Sequence, residues 1–457
     1  MSSPPLSVVV LAAGEGKRMR SHTPKVLHPV AGRPMLGHVL DAARALQPAA
    51  IHVIHGHGAE AVRAAFPDAD LHWVHQAERL GTGHAVKQAL PQIPDDHQVL
   101  VLCADVPLIR PGTLRALVAA APQGVSVLTV NVADPAGYGR ILRDGGDQVH
   151  GIVEEKDATA AQRAIREINT GLLCLPAGPL RGWLDTLDTG NAQGEYYLTD
   201  CIGLAHADNR RIAPVLCTDP DEVQGVNDRR QLAGVERACQ RRQAEALMRD
   251  QGLGLADPAR FDLRGTLTVG RDCFIDVDVV IEGHVTLGDE VRVGPFTRLQ
   301  DCVIGTGSEV LGHCDLASAS LAADCRVGPY ARLRPGTELG TAARVGNFVE
   351  VKQARVGAGT KINHLSYIGD ARIGDGVNVG AGTITCNYDG RAKHVTEIGD
   401  GVFIGSNTAL VAPLHVGAGA TLGAGSTLRD DVAADSLVVE RGERRDIPGW
   451  RPGRDEH

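Results

Sequence analysis

From residue 263 onward an aliphatic side chain returns at every sixth position. Val269, Ile275, Ile281, Leu287, Val293 and Leu299 begin the row, and after a five-residue step Ile304, Val310 and Leu316 continue it. Another short step leads to Leu321, Val327, Leu333, Leu339, Val345 and Val351, then to Val356, Ile362, Ile368, Ile373 and Val379. After an interruption the row resumes at Ile398, Ile404, Leu410, Val416, Leu422 and Leu428. A helix repeats every 3.6 residues and a half-buried strand every two, so neither makes this pattern. A solenoid of six-residue strands does, with three strands and ~18 residues per coil, giving roughly nine coils between Val269 and Leu428. Stacked Val, Ile and Leu can fill its narrow interior, which accounts for a chain of 457 residues with 55 glycines and only 3% aromatics.

Hexapeptide repeats of this kind resemble the left-handed β-helix family, an exception to the usual right-handed crossover. Its members commonly assemble as trimers, so a homotrimer is expected. The interruption "TCNYDGRAKHVTE", Thr385 to Glu397, leaves the six-residue frame and is expected to be a surface loop with a function.

The frame also predicts a column. His364, Ala381, Ser406 and Ala424 each lie two residues after an inward aliphatic, at Ile362, Val379, Ile404 and Leu422. On one face they would stack at ~4.8 Å per coil. The three small residues would leave a groove above His364 long enough for an extended ligand, with Arg441 as a cation at its far end. Small residues also populate solenoid corners for steric reasons alone. A histidine in the column, near Asn363, Tyr367, Asn378 and the loop, favours chemistry, since imidazole accepts a proton near neutral pH.

Before residue 228, short apolar strands alternate with helical stretches, which predicts a mostly parallel sheet covered by helices. The first strand leads into "VVVLAAGEGKRM", Val8 to Met19. Gly14 and Gly16 can bring bare backbone N–H groups to a phosphate, and Lys17 and Arg18 add positive charge. Met19 stands where G-x-G-x-x-G needs its last glycine, so on these residues alone a tight turn is as good a reading as a nucleotide site. The stretch Asp228 to Asp250 reads as one amphipathic connecting helix, with Leu232, Val235, Ala238, Ala246 and Leu247 on its apolar stripe. The expected division is therefore 1–227, a linker helix at 228–252, and a β-helix with its tail at 253–457.

A net charge of −9 gives no reason to expect nucleic-acid binding. The chain has no apolar run long enough to span a membrane and no signal-peptide pattern at its start, and its ten cysteines form no C-x-x-C pair. A soluble cytoplasmic protein with reduced thiols is expected.

Taken in order, "LAAGEGKRM", "PKVLHPVAG", "LGTGHA", "DVPLI", "YGRI", "GIVEEKDA", "INTG", "GVNDR", "RLRPG", "GNFVEVK", "GAGTITCNYDG" and "FIGSNTALVAP" resemble one family along nearly the whole chain. It is the family of bacterial bifunctional N-acetylglucosamine-1-phosphate uridylyltransferase/glucosamine-1-phosphate acetyltransferases. The resemblance implies an α/β chain in which a Rossmann-like sugar-nucleotidyltransferase domain precedes a left-handed parallel β-helix. It implies acetylation of glucosamine 1-phosphate by acetyl-CoA, then transfer of UMP from UTP to give UDP-N-acetylglucosamine and pyrophosphate, a precursor of peptidoglycan and lipopolysaccharide.

By the same resemblance the turn Leu11, Ala12, Ala13, Gly14 with Arg18 lies against the nucleotide, and Lys25 contacts its phosphates. Gln76, Gly81 and Thr82 recognise uracil, and Cys103, Ala104 and Asp105 line the site. Gly139, Glu154 and Asn169 hold the sugar, and Asp105 and Asn227 bind Mg²⁺. In the second half His364 accepts the proton of the sugar amine, with Glu350 as its orienting group. Arg334, Lys352, Tyr367, Asn378, Asn387 and Tyr388 hold the sugar phosphate, and Ala381, Ser406, Ala424 and Arg441 hold acetyl-CoA. Two residues depart from the family: Lys17, where Thr is usual, and Ala104, often Gly. Lys17 either reinforces anion binding or is solvated, and the methyl of Ala104 leaves the backbone path beside the metal carboxylate open. The alternative is a sugar-1-phosphate nucleotidyltransferase whose β-helix only regulates or oligomerises.

Overall fold

The computed structural model describes residues 4–440 apart from Ala121, together with 442, 444 and 446–449. The chain divides into two compact units, Met1–Cys239 and Gln240–His457. The division falls inside one 23-residue helix, Arg229–Gln251. In the first unit its Val235, Ala238 and Cys239 bury with Met19, Met35 and Val226. In the second unit Ala244 and Leu247 join the aliphatic interior, so Ala244, rather than the expected Ala246, carries the stripe.

Nine strands form the sheet of the first unit: β1 (Leu6–Leu11), β2 (Ala50–His55), β3 (Leu71–His75), β4 (Gln98–Cys103), β5 (Val125–Asn131), β6 (Arg140–Arg143), β7 (Val149–Val153), β8 (Glu167–Pro176) and β9 (Ile212–Cys217). Seven lie in the order β9-β5-β8-β4-β1-β2-β3, and the hairpin of β6 and β7 hangs from β8. Strand β1 runs parallel to β2 and β4, whereas β8 is antiparallel to both of its neighbours. The Val8-Val9-Val10 run is continuous because β1 is covered on both faces. Val8 and Val10 point into one core and Val9 into the other, and none is exposed.

In the second unit the six-residue row turns inward as a parallel β-helix. Every member is buried except the partly exposed Val269. One face is an 11-stranded parallel sheet, nine of whose strands fall between residues 269 and 428, in line with the coil length. The other two faces merge into a 15-stranded sheet, because strands such as Val279–Leu287 and Glu350–Val356 run through a corner. Corner polar groups are satisfied locally. The Thr360 hydroxyl donates to the Gly374 carbonyl at 2.7 Å and accepts from the Val377 N–H at 3.0 Å. Phe261 is buried in this core, whereas Phe296, His313, Tyr330 and Phe348 stack outside it along one corner with centroids 4.7–5.3 Å apart.

The interruption is shorter than the sequence implies. Thr385 occupies the inward place in the strand Ile384–Cys386, opposite Leu410, and Thr396 opens the strand Thr396–Ile398. A threonine serves where an aliphatic is usual because its hydroxyl bonds both the N–H and the carbonyl of Gly369, at 2.7 and 3.1 Å. The excursion proper covers 387–395.

Candidate active sites

The first site grows from the topology. Strand order runs outward in opposite directions from β1 and β4, and a ligand crevice is expected beyond the carboxyl ends of such a pair. A cavity of 280 Å³ lies there, lined by Leu11, Ala12, Ala13, Gly14, Lys25, Gln76, Gly81, Thr82, Cys103 and Asp105. The segment after β1 does not enter a long helix. It makes a single 3₁₀ turn, Lys17–Met19, preceded by Gly16 at φ 66°. A Cβ on Gly16 would stand 2.7 Å from the Cβ of Lys25, so this glycine is what lets Lys25 close on the turn.

Lys25 Nζ donates to Asp105 Oδ2 at 2.5 Å and to Asn227 Oδ1 at 3.3 Å. Two hard oxygens from distant segments thus converge on one positive charge. That donor set fits a divalent cation completed by phosphate oxygens and water, because both side-chain atoms are hard oxygens. Burial pushes the Cys103 thiol up to about 12, so it lines the cavity as a neutral group.

Arg18 is exposed and stands outside the cavity lining. Lys17 pairs with Glu15 at 3.5 Å with its side chain 80% exposed, which makes it the solvated alternative. Ala104 is fully buried, and its N–H donates to the Leu11 carbonyl at 3.1 Å, so the extra methyl leaves the link between the two strand ends intact.

Gly139, Glu154 and Asn169 meet at the hairpin. The Asn169 N–H donates to the Gly139 carbonyl at 2.9 Å, and a Cβ on Gly139 would meet both Glu154 oxygens at 3.4 Å. Glu154 accepts from the Thr199 hydroxyl at 3.0 Å, and burial raises its carboxyl above the ordinary value. The neighbouring Glu155 takes the wholly buried Arg140 guanidinium at 2.6 Å, fixing the turn that presents Glu154.

The second site is built on the β-helix. Strands carrying Val345, Ile362, Val379, Ile404 and Leu422 are consecutive in the 11-stranded sheet, so Asn347, His364, Ala381, Ser406 and Ala424 stack in one column. Arg441 lies outside the described residues. Asn347 answers a question that sequence reasoning left to Glu350. Its Oδ1 sits 2.7 Å from His364 Nδ1, and an amide oxygen can only accept, so Nδ1 carries the proton and Nε2 keeps its lone pair. Glu350 is committed elsewhere: it takes Arg334 at 2.9 Å and Arg332 at 3.7 Å, one coil away from the imidazole. Asn347 was legible as Val345 plus two, the same offset as His364.

Lys352 lies beside Lys393, whose close approach lowers the Lys352 ammonium below the ordinary lysine value, with Arg334 adding to the effect and Asp370 opposing it. An anion placed among Arg334, Lys352 and Lys393 would relieve that repulsion. Lys393 carries no periodic signal, because it sits in the excursion, where an isolated bridge to Tyr388 folds the loop back on itself. Asn387 donates to Asp370, and Gly369 leaves the space in between: a Cβ there would stand 2.5 Å from the Tyr367 hydroxyl and 2.9 Å from Asn387 Nδ2. Asn378 pairs with Lys361 on the face that carries His364.

Comparison with known proteins agrees with this two-part arrangement. Residues 8–167 match the MobA-like NTP transferase domain, and residues 263–363 match the GMPPB C-terminal domain. The bifunctional protein GlmU of Alkalilimnicola ehrlichii is 61% identical over 98% of this chain and 97% of its own. The chain belongs to the bifunctional GlmU family. GlmU proteins of Stenotrophomonas maltophilia and Marinobacter nauticus are 55% and 54% identical, each covering 98% of both chains. GlmU membership thus extends across both units. Among the described residues no helix is long and apolar enough to cross a membrane.

Proposed function

We infer that this chain is a bifunctional enzyme that acetylates glucosamine 1-phosphate with acetyl-CoA and then transfers UMP from UTP to the product. Family membership over nearly the full length carries this reading. Two separate constellations supply its chemistry, one at the β1/β4 switch point and one on the β-helix column. The 1–227 segment is assigned to uridylyl transfer, 228–252 to the link and 253–457 to acetyl transfer.

In the acetyl step the sugar amine attacks the thioester carbonyl, a C–N bond forms, and the C–S bond breaks to release the coenzyme thiolate. His364 Nε2 takes the proton the amine loses, while Asn347 holds the Nδ1 proton. Arg334, Lys352 and Lys393 receive the sugar phosphate, and Tyr367, Asn378, Asn387 and Tyr388 surround the ring. The Ala381, Ser406 and Ala424 column gives the extended coenzyme room along the prism, with Arg441 assigned to its far end.

In the uridylyl step a phosphate oxygen of N-acetylglucosamine 1-phosphate attacks the α-phosphorus of UTP, and the bond to the β-phosphate breaks to release pyrophosphate. The nucleophile is already anionic, so alignment and charge neutralisation outweigh general-base work. Leu11 to Gly14 receive the nucleotide, Lys25 its phosphates, Gln76, Gly81 and Thr82 the uracil, and Gly139, Glu154 and Asn169 the sugar. Asp105 and Asn227 would hold a divalent ion, assigned as Mg²⁺, and such an ion would neutralise phosphate charge.

The product, UDP-N-acetylglucosamine, serves cell-wall and lipopolysaccharide synthesis. We assign the enzyme to the cytoplasm, where its ten free cysteines suit a reducing compartment. A homotrimer is the proposed assembly, and light scattering showing a stable monomer would remove it.

The decisive experiment assays both activities in two variants. His364→Ala should lose acetyl transfer and keep uridylyl transfer, and Asp105→Ala should do the reverse. Loss of both together in either variant would mean that the two sites are not independent.

A further inference from the structure

Gln76 lines the first cavity, but its amide is not free to turn. Nε2 donates to the Gly81 carbonyl at 3.2 Å and meets His84 Nδ1 at 3.0 Å. The Gly81 carbonyl, which also accepts the Ala85 N–H at 3.1 Å, settles which end of the amide faces it, because an oxygen there would oppose an oxygen. Both amide hydrogens are then used, and His84 Nδ1 must offer a lone pair. A neutral imidazole with an acceptor at Nδ1 carries its proton on Nε2. Gln88 Nε2 lies 3.1 Å from His84 Nε2 and 3.4 Å from the His84 carbonyl, so a proton on the ring Nε2 requires this amide turned end for end; the 3.4 Å contact it gives up is longer than the 3.2 Å bond that holds Gln76 to Gly81.

A neutral imidazole cannot accept at both ring nitrogens, so one of the two amides must turn, and turning Gln88 keeps the shorter carbonyl bond, that of Gln76 to Gly81. In that arrangement the Gln76 side chain shows the cavity an acceptor, Oε1, and no donor. A pyrimidine edge is read by such a group. Uracil presents an N3–H, which Oε1 can accept, whereas cytosine presents a bare N3 that Oε1 repels.

We propose that His84, held as its Nε2–H tautomer on the helix Thr82–Ala89, is the positioning residue that, together with the Gly81 carbonyl, locks the Gln76 amide and so makes the first site select a uracil nucleotide over a cytosine nucleotide. His84 is half-buried behind the cavity lining and acts only through Gln76. The proposal rests on the uridylyl-transfer reading and adds to it the group that sets base choice.

The test measures kcat/KM with UTP and with CTP for the unmodified enzyme and three variants. His84→Ala and His84→Leu remove the acceptor; alanine is the best helix former, so the helix survives. His84→Asn keeps an acceptor, Oδ1, near the place of Nδ1. Alanine and leucine should each lower the UTP-to-CTP ratio at least tenfold, mainly through a raised KM for UTP with kcat nearly retained. Asparagine should return the ratio to within about threefold of the starting value. Acetyl transfer on the same preparations reports that each variant is folded. An unchanged ratio in the alanine and leucine variants, or an asparagine variant as impaired as they are, refutes the role of His84 while leaving the uridylyl reading intact. No turnover of either nucleotide by the unmodified enzyme would refute that reading and this inference with it.

Discussion

A single hydrogen-bond partner decides which nitrogen of His364 can work as a base. Asn347 Oδ1, 2.7 Å from Nδ1, holds the tautomer with its lone pair on Nε2. Deleting it frees the ring to rotate and to place its proton on either nitrogen. General-base catalysis is worth ~10²–10⁴-fold, and only the share that depends on the tautomer is at stake. Asn347→Ala should therefore reduce kcat for acetyl transfer roughly tenfold or more with little change in KM, and Asn347→Asp, which keeps an acceptor, should recover most of it. Steady-state kinetics with both substrates varied checks this, and an alanine variant of unchanged kcat would show that the ring orients itself. Uridylyl transfer in the same samples should not move.

At the scale of elements, the β-helix was legible because its rule is local: each coil buries only its own aliphatics, so every six-residue step repeats the same evidence. The column through His364 followed from that arithmetic, and Asn347 would have followed too. The excursion was less legible, because Thr385 keeps the frame with a hydroxyl bonded to Gly369 and no hydrophobic signal marks it. Lys393 was invisible, since its place depends on a loop that obeys no period. In the first unit alternation revealed strands and helices, but the antiparallel β8 did not show, because a strand buried on both faces reads the same in either direction. Gly369 shows what the loop needs from the coil beneath it. A methyl group there would stand 2.5 Å from the Tyr367 hydroxyl, a distance real Cβ contacts do not sustain, so the tyrosine or the Asn387 end of the loop must shift. Gly369→Ala should raise KM for glucosamine 1-phosphate about tenfold while the melting temperature changes little. An unchanged KM would mean the loop adjusts without disturbing the sugar site.

The molecule as a whole consists of two units with separate cores of different chemistry, and acid should distinguish them. The second unit buries aliphatics, cysteines, hydroxyls, amides and Phe261, whereas the buried histidines among the described residues, His28, His52 and His55, all belong to the first. Burial, reinforced by His72, lowers the His52 imidazole from 6.5 to about 4. Between those values the unfolded chain binds a proton that the folded unit refuses, so stability falls as pH drops through the window and is fully present above about pH 6.5. A displacement of that size corresponds to at most about 3 kcal/mol. The raised carboxyls of Glu154 and Asp200 act in the opposite sense and so offset part of the loss near its acid end. Comparing variants isolates the histidine: His52→Leu should flatten the pH dependence of unfolding between 6.5 and 4 for the unit that carries uridylyl transfer, and leave the melting of the β-helix unit alone. Calorimetry at several pH values, with each transition assigned by the activity lost, reads both effects. If His52→Leu left the acid slope of the first unit unchanged, a neutral buried His52 would not be the source of its acid sensitivity.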